Sequence, residues 1–186
     1  RRYVVMLQEG IKNFRQPVYR KTKRSEFTYA STIDHVCKNL SRLTVAYKNV
    51  ENDEQTLRLI RDDMDNTLRR AHNYCVKERI GAHYIEKNIT GKKIFEHMIP
   101  ASTVRDLVLH EVITPKQACM MPTCTLSKEN DQLLKDAGWN SKTPDIFNFW
   151  ERYRYSFNTD NLFETYDGTA ILTSEWTLDN HFDYFG

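Results

Sequence analysis

Glu96 and His97 stand side by side in the run Phe95-Glu96-His97-Met98-Ile99-Pro100. A carboxylate next to an imidazole suits one chemistry well. The pair can hold a divalent metal ion and activate a water molecule. Residues 92–99 read as a strand, with Ile94, Glu96 and Met98 on one face and Phe95, His97 and Ile99 on the other. In a regular strand the two groups therefore point apart. They converge only where the strand ends or bends, and Pro100 supplies that interruption. The competing reading of His97 is a structural histidine bonded to a backbone carbonyl.

Other chemistry-bearing residues are more scattered. His110-Glu111 repeats the adjacency in reverse, but mid-helix, where neighbouring side chains diverge by about 100°. His35, His72, His83 and His181 are isolated and read as packing or surface residues. Cys119 and Cys124 form the one close cysteine pair, while Cys37 and Cys75 lie on apolar helix faces. A structural zinc site usually needs a second close pair, so these read as buried thiols. No nucleophile elbow and no phosphate-binding glycine loop occurs.

The elements that must position Glu96 and His97 are mostly helical. Ser31 or Thr32 caps a helix running to about Val50, with Ile33, Val36, Cys37, Leu40, Leu43 and Tyr47 on one face. A second helix spans about Asp53 to Arg79 on the stripe Leu57, Ile60, Met64, Leu68, Ala71 and Cys75. Asp62, Asp63 and Asp65 read as its solvated face, with Asp65 paired to Arg69 at helical spacing. Gly81 ends that helix and His83–Asn88 reads as an amphipathic link. Ser102 caps a further helix, and Thr114-Pro115 begins a short helical turn. Cys124–Leu126 is extended, and residues 128–137 are helical behind Ser127. The fold class is thus predominantly α with a small β element. A helical N-terminal half is followed by a short strand-helix unit and an aromatic C-terminal segment.

Composition narrows the class further. The chain has 186 residues with 40% hydrophobic and 12% aromatic content, enough for one sizeable core. Six glycines and five prolines argue against a low-complexity chain. No apolar run approaches membrane-spanning length and no signal-peptide pattern opens the chain, so a cytoplasmic protein without a membrane partner is expected. Net charge is +2 but uneven: residues 1–24 carry +7 and residues 151–186 carry −5. Three parts follow: a basic arm (1–24), a core domain (25–150) and an acidic aromatic C-terminal segment (151–186). Arg15, Arg20, Lys21, Lys23 and Arg24 of the arm are candidates for phosphate-backbone contact; a solvated arm, or one paired with the acidic end, is the alternative. Phe147, Phe149, Trp150, Tyr153, Tyr155 and Phe157, interleaved with Arg152 and Arg154, either stack bases or anchor the C-terminal segment to the core, with anchoring favoured. The acidic segment could also engage a basic protein partner.

The acid-His-x-x-Pro pattern at Glu96, His97 and Pro100 resembles the first strand of the HNH (ββα-metal) nucleases. The resemblance covers about residues 92–131. It implies that His97 is the general base, that Glu96 and His97 lie at a divalent metal (Mg²⁺ or Mn²⁺), and that Asn130 closes the motif from a following helix. The implied function is metal-dependent hydrolysis of nucleic-acid phosphodiesters, DNA first. The alternative is a non-catalytic helical protein that binds nucleic acid or another protein, with His97 buried for structure.

Overall fold

The computed structural model describes residues 29–77 and 81–185. The arm residues Arg15, Arg20, Lys21, Lys23 and Arg24 lie outside the described residues. Helix α1 (Tyr29–Lys48) and helix α2 (Glu54–Lys77) form a packed hairpin. Asp53 starts α2 by accepting Thr56 N at 3.0 Å and Thr56 Oγ1 at 2.5 Å. The expected stripe of α2 is the buried one: Ile60, Met64, Leu68, Ala71 and Cys75 pack inward, with Leu57 half-buried and His72 added. One expectation fails here. Asp65 pairs not with Arg69 in its own helix but with Arg105 of the next helical layer, at 2.9 Å. Both side chains are largely enclosed, and tertiary packing overrides the local spacing.

A four-stranded sheet lies against this hairpin. It comprises β1 (His83–Glu86), β2 (Lys93–His97), β3 (Thr123–Ser127) and β4 (Phe163–Thr165), in the order β2-β3-β1-β4. The class is α+β, as the sequence suggests. β3 pairs antiparallel with β2 and parallel with β1, and β4 pairs antiparallel with β1. The segment read as an amphipathic link is in fact β1, a central strand. Its four residues are too few to show a period, and His83 and Glu86 look polar although both are buried. Gly81 leads into β1 because its backbone passes over α2: a Cβ there would lie 2.6 Å from Cys75 Cβ.

Between β2 and β3 run α3 (Ala101–Leu109) and α4 (Pro115–Cys119). α3 begins one residue before Ser102, behind Pro100, and no side chain caps it. α4 has a capping box in which Gln117 N donates to Thr114 Oγ1 and Thr114 N donates to Gln117 Oε1. β3 passes directly into α5 (Lys128–Asp136), capped by Ser127 Oγ at 3.2 Å from Asn130 N. Gly138, at φ 77°, closes that helix.

Most of the C-terminal aromatics anchor, while Phe147 and Tyr155 stay exposed. Phe149 and Trp150, with Tyr153 of α6 (Glu151–Arg154) and Phe163 of β4, are wholly buried in the same core as Leu68 and Leu126. Tyr84 sits among them, edge-on to Trp150, Trp176 and Phe185. A hydrogen-bond chain then ties α7 (Leu178–Phe185) down. Trp176 Nε1 donates to Tyr84 Oη at 2.7 Å, Tyr84 Oη donates to His181 Nδ1 at 2.7 Å, and His181 Nε2 donates to the Met120 carbonyl at 2.7 Å. Residues 151–185 therefore complete the core rather than flank it. Among the described residues no helix is long and apolar enough to cross a membrane.

Candidate functional site

β2 is an edge strand, and Ile94 to His97 are only half-buried along it. Glu96 opposes Cys124 and His97 opposes Thr123 on β3. The strand ends at His97, as Pro100 requires, and α3 starts four residues further on. Glu96 and His97 both reach one cleft of about 220 Å³. Pro100, Ala101 and Ser102 of the α3 start line it, with Arg69 of α2 and Asn140 and Ser141 of the loop after α5. The positive end of the α3 dipole lies at the cleft, although Thr103 N and Val104 N already donate to the Pro100 carbonyl, and Arg69 adds a positive charge.

Beneath the cleft lies Arg152, the residue that sequence reasoning missed. Its side chain is fully buried. Nη2 donates to Glu96 Oε1 at 2.7 Å, and Nη1 donates to the carbonyls of His97 (3.1 Å) and Met98 (2.9 Å). Arg152 thus pins both the Glu96 carboxylate and the end of the strand that carries it. The neighbouring Arg154 pairs locally instead, with Glu151 at 3.7 Å. Fifty-six residues separate Arg152 from Glu96, so no local spacing signals the pair. Burial pushes the Glu96 carboxyl up to about 7, with Arg152 opposing the rise and Asp131 adding to it.

His97 has a different surrounding. Its ring packs edge-on against Phe95, with centroids 4.9 Å apart, and tilts against His72 at 5.1 Å. Nε2 is enclosed and has no hydrogen-bond partner. Burial, with the nearby His72, Arg69 and Arg152, pulls its pKa down to about 3. His97 is therefore neutral at pH 7. The adjacent His72, like His181, does meet a backbone carbonyl: Nε2 donates to Ala118 O at 2.8 Å, leaving Nδ1 as an enclosed acceptor without a partner.

Asn130 is placed elsewhere. Its Nδ2 donates to Glu86 Oε1 at 3.0 Å, while Ser127 N donates to Glu86 Oε2 at 2.6 Å. This cluster lies where Ser127 opposes Lys93, four residues along β2 from His97. Four strand residues span about 13 Å. The structure brings Glu96 and His97 to one cleft and leaves Asn130 at the other end of the strand pair.

The donor set suits only a lightly held ion. Among the described residues no three His, Cys, Asp or Glu side chains gather as a metal cage. Glu96 gives Oε1 to Arg152, leaving Oε2 as the carboxylate oxygen facing other partners. Mg²⁺ often takes only one or two carboxylates, completing its shell with water and substrate phosphate. Glu96 fits that minimal role, and His97 is the adjacent nitrogen donor. Comparison with protein-family models, with curated proteins and with solved structures finds no match for this chain.

Proposed function

We propose that the chain hydrolyses nucleic-acid phosphodiesters at the Glu96–His97 cleft, as a metal-dependent nuclease of the ββα kind. One observation carries this reading. β2 and β3 form an antiparallel pair, β3 runs straight into α5, and α5 packs back on both strands, with Glu96 and His97 at the end of the first strand. That is the strand-strand-helix order the sequence motif implies, with α3 and α4 inserted between the strands.

The chain's own residues supply the following chemistry. Arg69 and the start of α3 hold the phosphate anion beside Glu96 and His97. His97, neutral at pH 7, takes the proton of the attacking water. Burial depresses its basicity most in the free protein, with His72, Arg69 and Arg152 adding to it, and a bound phosphate offsets only the part that the two arginines contribute. Its basicity then rises as substrate arrives. A divalent ion at Glu96, Mg²⁺ or Mn²⁺, would supply charge stabilisation at the phosphate. Supercoiled-plasmid nicking with Mg²⁺ or Mn²⁺ tests the reading. Cleavage by the native chain that His97→Ala lowers a hundredfold or more supports it. No metal-dependent cleavage, or equal cleavage by both chains, ends it.

A second reading has its own observation. The Glu96–Arg152 pair and the Asn130–Glu86 bond are both internally satisfied, as in a structural support. On that reading the chain binds nucleic acid or a basic protein without cleaving, through the basic arm or the acidic C-terminal segment. DNA binding with an undiminished salt slope in His97→Ala, and no nicking, would distinguish it.

A further inference from the structure

Four lysines gather at the end of the sheet opposite the Glu96–His97 cleft. Lys92 and Lys93 open β2, Lys87 follows the last residue of β1, and Lys128 is the first residue of α5. The strand register brings them together. Lys93 opposes Ser127, the residue before Lys128, and Lys128 N donates to the Lys92 carbonyl at 3.1 Å. β1 runs parallel beside β3 with Ile85 opposite Thr125, which carries Lys87 level with Ser127. Neighbouring strands lie about 4.8 Å apart, so the four backbones fall within about 10 Å of one another.

Lys92, Lys93 and Lys128 are exposed and Lys87 is half-buried. None of the four enters an ion pair among the described residues. The nearby carboxylates are engaged elsewhere. Glu86 is buried and accepts from Ser127 N and Asn130 Nδ2, and Asp131 pairs with Lys135 at 2.6 Å. Like charges held this close repel, a cost that a bound polyanion relieves.

We propose that this lysine rim is a phosphate-backbone contact for a nucleic-acid strand that runs along the β2 edge to the cleft. It rests on the reading above for the identity of its partner. β2 has no neighbour on its outer side among the described residues, and Arg69 supplies positive charge at its far end. The two ends are about 13 Å of strand apart. That matches about four nucleotides of B-form strand at about 3.4 Å each. Lysine, a point charge on a flexible stem, holds successive phosphates without reading sequence. The rim therefore sets the register of the strand, and the cleft receives the phosphate to be cut.

Binding of a labelled DNA duplex to the full chain, without divalent metal, tests this by fluorescence anisotropy over about 50 to 200 mM KCl. Two triple variants of equal charge change are compared with the native chain. Lys92→Gln, Lys93→Gln and Lys128→Gln neutralise the rim; Lys38→Gln, Arg42→Gln and Lys116→Gln neutralise exposed positions on α1 and α4. The rim variant should bind about tenfold more weakly or worse at low salt, with the slope of log K against log salt reduced by about 2 to 3. The control should keep its slope within about one of the native value. An unchanged slope in the rim variant, or an equal loss in both variants, overturns the proposal. So does a native chain that binds no DNA at the lowest salt, or that binds phosphatidylserine vesicles in preference. Acetylation mapping of the unsubstituted chain decides the matter if a variant misfolds. Bound duplex should protect Lys92, Lys93 and Lys128 and leave Lys38 and Lys116 reactive; identical labelling with and without DNA overturns the proposal. A rim-dependent slope in a native chain that never nicks plasmid with metal ends the nuclease reading and keeps this one. Nicking with a rim-independent slope does the reverse.

Discussion

Arg152 Nη2 meets Glu96 Oε1 at 2.7 Å, the guanidinium wholly buried and the carboxylate nearly so. The same guanidinium holds two successive carbonyls at the end of β2. A helix formed late in the chain therefore fixes the geometry of the candidate site. Removing one partner of such a pair leaves a buried charge uncompensated, which costs about 3–5 kcal/mol. Arg152→Met should lower the free energy of unfolding in urea by that order. Glu96→Gln also leaves the buried guanidinium without its counter-charge but keeps an uncharged acceptor for Nη2 and the two carbonyls on Nη1, and should cost less than Arg152→Met. Equal losses for the two variants would show that the pair does not hold the strand end.

Acid should unfold this protein well above the usual carboxylate range. Burial lowers His83 and His181 to about 4 and His97 to about 3, from an ordinary 6.5, and lowers His72 as well. The unfolded chain then binds more protons than the native one below pH 6.5. Their stabilising contribution is complete above that pH and is lost as pH falls toward 4 and 3. Glu96 has the opposite sign. Its raised value, about 7, gives a contribution present below 4.5 and lost as pH rises through 7. Four histidines outweigh one carboxylate that Arg152 partly compensates. The urea midpoint should fall steadily from pH 6.5 to 4.5, and a flat profile there would contradict neutral burial of these rings.

Gly81 and Gly91 offer a paired test of the α2–β1 junction. A methyl at Gly81 meets Cys75 Cβ at 2.6 Å, whereas at Gly91 nothing lies within 4 Å. Overpacking of this kind costs about 1–3 kcal/mol. Gly81→Ala should lower Tm by several degrees, and Gly91→Ala should change it little. Similar shifts from both would mean that the chain relaxes freely around Gly81.

The long helices were legible because α2 repeats its apolar positions over about five turns. β2 and the turn into α5 were legible from alternation, Pro100 and Ser127. β1 was not, since four residues carry no period and its His83 is satisfied only by Thr123 and Thr125 on β3, each at 2.8 Å. The site was half legible. Adjacency announced Glu96 and His97, but Arg69, Arg152 and Ser141 reach the cleft region through folding alone. Asp65 shows the same limit: its helical neighbour Arg69 was the local choice, and Arg105 took it across the helix packing.

The clearest separation of structure from chemistry concerns Asn130. Its amide and the Ser127 N–H together satisfy Glu86, which is buried beside α5. Asn130→Ala removes one hydrogen bond to a charged acceptor, a loss of about 1.5–3 kcal/mol. Asn130→Asp places a second carboxylate against Glu86 and should destabilise more. With the pair about 13 Å of strand away from His97, neither change touches the cleft. On the nuclease reading, Asn130→Ala should then keep any metal-dependent nicking within about threefold of the native rate at a temperature where it stays folded, with circular dichroism reporting the folded fraction. A drop as large as that of His97→Ala, in fully folded protein, would instead move Asn130 into the catalytic machinery and require α5 to shift along β2 when substrate binds.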